Sequence, residues 1–343
     1  MQIPVIQENN SCGSGCNGIP DGFIESAISD REAKLDFMRQ KTTQMGYRFV
    51  GRHSAIKVCN WTKESIRGKN VCYKNKFYGI ESHQCVQMTP AMFFCTFNCL
   101  HCWRNFDYIL PQNEQWDNPK QVLDGCIEAQ AEILQGFYGN PNADKTKLDK
   151  AMVPQHVAIS LSGEPTLYPQ LPEFIDEITG RNMTAFLVSN GTRPEMIEQL
   201  LNHQPTNLYI SFYGTNPEMY KKAAVPMEKG FWENVNSSLR LLGKFDCNTV
   251  VRLTLSKGLN FTDPKGYAEI IENSGAKFVE CKAFMAVGGS RRVMKYEDMP
   301  LHSEIQQFAA EIERHSSYKI INEKADSRVV LLSREGKDFI GID

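Results

Sequence analysis

Apolar and polar positions alternate differently in two parts of the chain. Across residues 21–46 the apolar side chains recur at helical intervals and Asp21 supplies a suitable N-cap, so this segment predicts a helix. Residues 47–89 lack a clear period and contain three glycine breaks, which predicts irregular structure. A stretch of that length usually requires something other than a hydrophobic core to order it.

From residue 90 onward, short apolar runs alternate with amphipathic stretches. The apolar runs are rich in β-branched and aromatic residues, which is typical of strands covered on both faces. The predicted strands are 91–95, 156–162, 184–190, 207–213, 248–256 and 278–286. The predicted helices are about 117–137, 170–180, 193–203, 216–243 in two pieces, 264–274 and 301–316. Repeated βα units of this kind predict a parallel sheet with right-handed crossovers.

The pattern therefore predicts an α/β fold, a partial (β/α)6 barrel of the TIM-like type. We assign residues 90–343 to this barrel and its C-terminal extension, in which residues 328–333 form a last strand. Residues 21–89 form an N-terminal extension of helical and irregular structure, and residues 1–20 form a flexible tail rich in Gly and Asn. The polar stretch 140–150 is predicted to be a surface connection.

Composition excludes membrane-spanning and secreted classes. Hydrophobic residues make up 41% of the 343 residues and charged residues 23%, as in ordinary globular proteins. No apolar run approaches the roughly 18–20 residues needed to cross a bilayer, and the N-terminus lacks the pattern of a secretory signal. We therefore expect a cytoplasmic, monomeric protein with no membrane partner.

Positive charge is concentrated in one segment. Residues 39–76 contain ten Lys or Arg and a single acidic residue, Glu64, although the whole chain has a formal net charge of −2. Aromatic residues interleave with these cations, and phosphates and unstacked bases bind such a combination. The segment predicts contact with nucleic acid. The alternative is a solvated charged face with a few aromatic residues in the core.

Cysteines supply the main candidate chemistry. The chain has eleven, and a reducing compartment favours metal binding or catalysis over disulfides. The first predicted barrel strand runs into Cys95, Cys99 and Cys102, which share one tight loop. Three thiolates in this arrangement can bind three irons of a 4Fe–4S cluster and leave the fourth iron open. A structural zinc site with His101 as fourth ligand is the alternative.

The cysteine loop resembles the signature of the radical S-adenosylmethionine (SAM) superfamily, in which the open iron chelates SAM. The second strand ends in Ser162-Gly163-Glu164-Pro165, which is similar to the GGEP element of that family, with Ser162 in place of its first Gly. The resemblance implies binding of the SAM amino group by this element. It further implies contacts to the methionine or ribose part of SAM from Asn190 and Ser211. Arg252 is a candidate for the SAM carboxylate, and a surface or packing role is its alternative.

A second cysteine triplet lies upstream. Cys59, Cys72 and Cys85 are separated by twelve residues each, a regularity that suggests a second 4Fe–4S cluster with another open iron. Such a cluster would also order residues 47–89. Three buried or free thiols are the alternative.

The pair of triplets, with the sequence CYKNKFYGI around Cys72, resembles the archaeal type of tRNA 4-demethylwyosine synthase. That family converts N1-methylguanosine next to the anticodon of tRNA(Phe) to 4-demethylwyosine by condensation with pyruvate. The resemblance thus implies two 4Fe–4S clusters and SAM as cofactors, and tRNA and pyruvate as substrates. Eukaryotic relatives carry an N-terminal flavodoxin-like domain, and none fits here, so an external electron donor is expected.

Two lysines are candidates for holding pyruvate. A lysine two residues after the second triplet's middle cysteine has been proposed in this family to form a Schiff base, and Lys74 stands at that position. Lys76 is the second candidate, and a role in phosphate binding is the alternative for Lys74. Farther along, Arg291 and Arg292 are candidates for RNA phosphate contacts at the mouth of the barrel.

Two other functional classes stay open at this point. One is a radical SAM enzyme that uses an auxiliary cluster to act on a peptide or a small molecule. The other is a non-catalytic, zinc-dependent RNA-binding protein. Cys12 and Cys16 lie in the predicted tail and are interpreted as incidental.

Overall fold

The structure is a computed structural model that describes residues 31–104 and 115–334. Two compact units are present, one ending at Gln44 and one beginning at Met45. In the first unit, helix α1 spans Arg31–Gln44 and forms the later part of the helix predicted for residues 21–46. The start of that helix and the predicted tail, with Cys12 and Cys16, lie outside the described residues.

The second unit contains a ten-stranded sheet surrounded by helices. Its strands are β1 (Arg48–Val50), β2 (Ser54–Ile56), β3 (Cys85–Thr89), β4 (His156–Ile159), β5 (Thr184–Ser189), β6 (Asn207–Phe212), β7 (Asn248–Leu255), β8 (Phe278–Ala283), β9 (Lys319–Lys324) and β10 (Val329–Ser333). Its helices are α2 (Asn60–Ile66), α3 (Tyr73–Tyr78), α4 (Pro119–Gln135), α5 (Lys145–Ala151), α6 (Leu171–Thr179), α7 (Pro194–Gln199), α8 (Pro217–Ala224), α9 (Phe231–Leu241), α10 (Pro264–Ser274) and α11 (His302–Arg314).

The strand order confirms a partial barrel. The order is β1-β2-β3-β4-β5-β6-β7-β8-β10-β9, and the six strands from β3 to β8 are all parallel. Antiparallel strands extend both edges, with β1 and β2 beside β3, and β10 and β9 beside β8. The first and last strands do not pair, so the sheet stays open.

Burial of apolar helix faces against the sheet holds this architecture together. In α6, the side chains of Leu171, Phe174, Ile175 and Ile178 follow helical spacing and are fully buried. Each such side chain contributes about 1.5–3 kcal/mol by leaving water. The same helices place the loops after the parallel strands at one edge of the sheet, where barrel sites lie. In the described part of the chain, no helix is long and apolar enough to cross a bilayer.

The structure differs from the sequence-based elements in three places, one of which is β9 (Lys319–Lys324), a strand that was not predicted. The first parallel strand is Cys85–Thr89, and residues 91–95 follow it as a buried loop, because Pro90 has no N–H with which to continue the ladder. Residues 47–89 are therefore less irregular than expected, since they contain three strands and two short helices. The stretch 140–150 includes most of α5, which begins where the Asp144 side chain accepts a hydrogen bond from the N–H of Lys147 at 3.1 Å.

Candidate active site

The first cysteine triplet faces a cavity at the carboxyl ends of the parallel strands. Cys95, Cys99 and Cys102 all line this cavity of about 300 Å³, which we call the rim cavity. The remaining lining comes from the ends of β4 to β8, so the loop of the triplet closes one side of it. The sequence-predicted ligands are thus brought together at one site.

The thiols of this triplet are close enough to influence one another. Burial raises the pKa of Cys95 to about 12, and burial together with the neighbouring Cys102 and Cys95 raises the pKa of Cys99 well above its ordinary value. Binding a metal centre must therefore displace protons from these groups.

The alternative of a zinc site completed by His101 concerns the same cavity. Among the described His, Cys, Asp and Glu residues, no group of three is arranged to hold one metal ion. His101 also lines the rim cavity, where its ring lies against Tyr213 in a tilted arrangement with 4.6 Å between centroids.

Side chains from β5 hold the cysteine loop in place. The Asn190 amide donates to Thr96 Oγ1 at 2.8 Å, and its carbonyl oxygen accepts from the N–H of Thr192 at 3.1 Å. The hydroxyls of Thr96 and Thr192 also pair at 2.8 Å. Asn190, predicted to contact SAM, therefore also positions the residue directly after Cys95.

Glu164 joins the ends of β4 and β5. Its carboxylate accepts hydrogen bonds from the Thr166 hydroxyl at 2.6 Å, the Ser189 hydroxyl at 2.8 Å and the Asn190 N–H at 2.7 Å. Burial raises the pKa of Glu164, and these donors oppose that rise. Oε2 accepts only one of these bonds, so it keeps capacity for a further donor in the rim cavity.

Ser162 and Gly163, the two residues before Glu164, form a tight turn at the wall of the rim cavity. A Cβ at Gly163, whose φ is +72°, would lie 1.7 Å from the carbonyl oxygen of Ala91, so no other residue fits. Ser162 lines the rim cavity, and its buried hydroxyl has no hydrogen-bond partner in the described protein. Ser211, on β6, is 6% exposed and lines the same cavity.

The second cysteine triplet faces a separate cavity inside the barrel. Cys59, Cys72 and Cys85 line this space of about 280 Å³, which we call the inner cavity. Burial raises the pKa of Cys85 to about 12, with Cys59 and Cys72 adding to the rise. Three separated stretches of the extension therefore bring their thiols to the lining of one cavity.

Two of these thiols stand at the beginnings of short helices. Cys59 precedes α2 and Cys72 precedes α3. The nearby N–H groups of Trp61 and Thr62 lower the pKa of Cys59, although burial raises that pKa more strongly. The N–H of Lys74 acts in the same way on Cys72.

The structure separates the two candidate lysines. Lys74 is 7% exposed and lines the inner cavity, where Nζ lies 4.6 Å from the ring centroid of Phe186 and 5.0 Å from that of Tyr209. Burial lowers the pKa of Lys74, and Arg252 lowers it further. Lys76 lies on the surface and donates to the carbonyl oxygen of Glu323 at 2.7 Å.

Arg252 stands where the two cavities meet. It lines both cavities, and its guanidinium forms an ion pair with Glu280 at 2.8 Å. Glu280 is fully buried and also accepts from the hydroxyls of Tyr73 at 3.2 Å and Tyr78 at 2.7 Å. Since Arg252 already has a carboxylate partner, its predicted contact with SAM stays a prediction.

Sequence reasoning missed Lys282, which also lines both cavities. Its Nζ donates to the carbonyl oxygen of Ser327 at 2.6 Å, and burial followed by Arg252 lowers its pKa to about 8. The sequence did indicate a polar site here, because Glu280 and Lys282 are two charged residues on a buried strand. They are two positions apart and thus share one face of that strand.

Burial corrects the aromatic part of the interpretation of the basic segment, and its contact with nucleic acid stays a prediction. Four aromatic residues in or directly after this segment belong to the core and are at most 7% exposed, so they are not available to stack on bases: Tyr47, Tyr73, Phe77 and Tyr78. Lys74 points into the inner cavity, whereas Arg48, Arg52 and Lys69 are exposed. The alternative of a solvated face over core aromatics describes most of this segment.

Comparisons with known proteins agree with this geometry. Residues 89–271 match the radical SAM superfamily, and residues 273–334 match the family described as wyosine base formation. The S-adenosyl-L-methionine-dependent tRNA 4-demethylwyosine synthase of Pyrococcus abyssi is 43% identical over 85% of this chain and 87% of its own length.

Solved structures show the same relationship. A structure of TYW1 with a lysine–pyruvate adduct bound has a TM-score of 0.81 and 35% identity, over 90% of this chain and 98% of that one. A crystal structure of archaeal TYW1 has a TM-score of 0.72 and 32% identity, over 92% and 99% of the two chains.

The chain is a radical SAM enzyme, because it combines these matches with an open parallel barrel that carries a triplet of thiols at the carboxyl ends of its strands. Such an enzyme uses SAM and a 4Fe–4S cluster. Within the superfamily, the chain belongs to the tRNA 4-demethylwyosine synthase family. The sequence-based predictions of fold class, enzyme class and family are therefore confirmed.

Proposed function

We propose that this chain converts N1-methylguanosine next to the anticodon of tRNA(Phe) into 4-demethylwyosine by condensation with pyruvate. The observation that carries the proposal is the meeting of two thiol-lined cavities inside one barrel, with Lys74 in the inner one. Two cavities that share a wall suit a reaction that joins two substrates.

In this proposal Cys95, Cys99 and Cys102 hold the 4Fe–4S cluster that works with SAM. When bound and reduced, that cluster with SAM supplies the 5′-deoxyadenosyl radical that removes hydrogen from the substrate methyl group. Glu164 and the unpartnered hydroxyl of Ser162 offer an acceptor and a donor to SAM from the same wall of the rim cavity. Asn190 and Ser211 complete the polar lining.

We assign a second 4Fe–4S cluster to Cys59, Cys72 and Cys85. Their convergence on the inner cavity from three stretches of chain supports this. Their role is then to limit the space open to the second substrate.

Lys74 is the residue we assign to pyruvate. Its amine is buried and makes no hydrogen bond or ion pair with any described residue, so no acceptor holds its proton in place. The neutral amine attacks the carbonyl carbon of pyruvate, and loss of water leaves an imine. The lysine–pyruvate adduct in the similar TYW1 structure supports a lysine in this role.

The decisive experiment is an assay of the full chain reconstituted anaerobically with iron and sulfide. The protein is incubated with SAM, pyruvate, a reductant and tRNA(Phe) that carries N1-methylguanosine, and the nucleosides are analysed by mass spectrometry. We expect 4-demethylwyosine only when SAM and pyruvate are both present. Formation of 5′-deoxyadenosine without any change in the methylated guanosine would reject the proposed substrate.

Three further features stay predictions within this proposal. They are a cytoplasmic location, a monomeric state and a separate protein or reductant as electron donor.

A further inference from the structure

Positive charge is concentrated where the two cavities meet. Lys74, Arg252 and Lys282 all line the inner cavity, and no carboxylate belongs to its described lining. Glu280, which lies behind this wall, pairs with Arg252. Buried cations are stable only when anions or acceptors surround them, and apart from the thiols proposed as cluster ligands the described lining offers Lys282 no anionic partner.

Lys282 has unused hydrogen-bonding capacity. One of its three N–H groups donates to the carbonyl oxygen of Ser327 at 2.6 Å, which leaves two for a ligand. Its Nζ lies 5.1 Å from the ring centroid of Tyr73, the residue next to Lys74. Both lysines line the inner cavity, Lys282 from β8 and Lys74 from α3.

We infer that Lys282 binds the carboxylate of the 2-oxo acid whose carbonyl carbon Lys74 holds, and thereby selects an acid over a neutral ketone. The inference rests on the proposed function, because it needs a keto substrate at Lys74. In a 2-oxo acid the carboxylate is bonded directly to the carbonyl carbon. A cation in the same cavity as the imine-forming lysine is thus suited to this substrate.

The position of Lys282 in the barrel adds to the argument. It lines the rim cavity as well, so a carboxylate on Lys282 lies at the junction of the two cavities. It also belongs to residues 273–334, the segment that matches the wyosine base formation family. Lys282 acts here as a positioning residue, since the covalent bond forms on Lys74.

The test measures adduct formation and needs neither SAM nor tRNA. Full-length reconstituted protein is treated with borohydride and increasing pyruvate or methyl pyruvate, the neutral ester, and adducts at Lys74 are quantified by peptide mass spectrometry. The variants are Lys282→Gln, which can still donate to Ser327, and Lys282→Arg, which keeps the charge. Lys76→Gln is the matched control for loss of a lysine in the same region, since Lys76 lies outside the cavity.

We expect the wild-type protein to trap pyruvate at lower concentration than the ester. Lys282→Gln should raise the pyruvate concentration for half-maximal trapping roughly ten- to a hundredfold, because a charged hydrogen bond is lost. The ester concentration for half-maximal trapping should stay the same. Lys282→Arg should keep the preference for the acid, and Lys76→Gln should behave as wild type.

Two results would overturn the inference, and they are distinguishable. If Lys282→Gln keeps the wild-type preference for pyruvate over its ester, Lys282 does not bind the carboxylate, while the assignment of Lys74 is unaffected. If the wild-type protein forms no adduct at Lys74 with either compound, the assignment of Lys74 fails and the inference fails with it. The thermal midpoint and iron content of each variant verify that it is folded and loaded.

Discussion

Arg252 and Glu280 form a buried ion pair, with Nη2 2.8 Å from Oε2, on two adjacent parallel strands at the junction of the two cavities. The pair is held from a third side by Tyr73, whose hydroxyl reaches both partners. Since Tyr73 follows Cys72 directly, this network connects the wall of the barrel to the second cysteine triplet. The ion pair therefore has a structural role beside any contact with a ligand.

Removing one partner of this pair should be strongly destabilising. Glu280→Gln leaves the Arg252 guanidinium in a buried site without its counter-charge, and we expect a loss of about 3–5 kcal/mol in the free energy of unfolding. Anaerobic urea denaturation followed by circular dichroism measures this loss. The matched control is Glu272→Gln, which removes a partly exposed partner of Arg334 and should cost under about 1 kcal/mol. Equal losses in the two variants would contradict the structural role.

The parallel sheet was predictable because its strands are buried on both faces. Runs such as those of β5 and β6 are apolar along almost their whole length, and this pattern has few interpretations. β3 was misplaced because Cys85 and Gln87 face the inner cavity while Val86 and Met88 are buried in the core. A strand that lines a polar cavity loses the apolar pattern by which sequence analysis finds strands.

Only the site residues that belong to short sequence motifs could be predicted. Both cysteine triplets and Glu164 follow from local sequence, and each lines the cavity expected of it. Lys282 and Glu280 could not be placed, because their proximity to Lys74 depends on how α3 packs against β8. That arrangement is a long-range contact between residues that the sequence separates by about two hundred positions.

Replacing any cysteine of the first triplet should abolish reductive cleavage of SAM. In Cys95→Ala, Cys99→Ala or Cys102→Ala, one iron of the cluster loses its only protein ligand. We expect no 5′-deoxyadenosine above background in anaerobic assays with dithionite, measured by chromatography. Cys247→Ala is the control, because this half-buried thiol lines neither described cavity and should leave the activity intact. Persistent 5′-deoxyadenosine in all three variants would reject the assignment.

The second triplet should behave independently of the first. Cys59→Ala, Cys72→Ala or Cys85→Ala should remove roughly half of the iron bound per chain, since one of two four-iron clusters is lost. Reductive cleavage of SAM without tRNA should continue, because the rim cavity keeps its own ligands. Iron analysis and electron paramagnetic resonance measure both quantities. An iron content equal to wild type would contradict a second cluster.

Lys74 should be the site of covalent trapping by borohydride and pyruvate. Lys74→Arg removes the nucleophile and keeps the charge, so we expect loss of the adduct and of 4-demethylwyosine, with SAM cleavage retained. Lys76→Gln should retain the adduct, since its side chain lies on the surface. Peptide mapping after trapping identifies the modified residue. Labelling of another lysine in the wild-type protein would reassign the role.

Arg291 and Lys295 should strengthen tRNA binding at the mouth of the barrel. Both side chains are exposed in the loop after β8, and Arg291 lies 5.7 Å from the ring centroid of Tyr296. The loop is anchored next to the first triplet, because Gly289 N–H donates to the carbonyl oxygen of Trp103 at 3.0 Å and Trp103 follows Cys102. Cations in this loop can thus meet phosphates while a base enters the rim cavity.

The double variant Arg291→Gln, Lys295→Gln should therefore bind tRNA more weakly and with a smaller dependence on salt. Each lost phosphate contact lowers the slope of log affinity against log salt by roughly 0.7–0.9, which filter binding at several salt concentrations measures. Lys319→Gln is the matched control, because Lys319 begins β9 beside the start of β8, at the opposite end of the strands. SAM cleavage without tRNA should be the same in all these proteins. Removing charge from a phosphate-binding surface must lower the salt dependence of binding. An unchanged salt slope in the double variant would therefore mean that the tRNA binds another face.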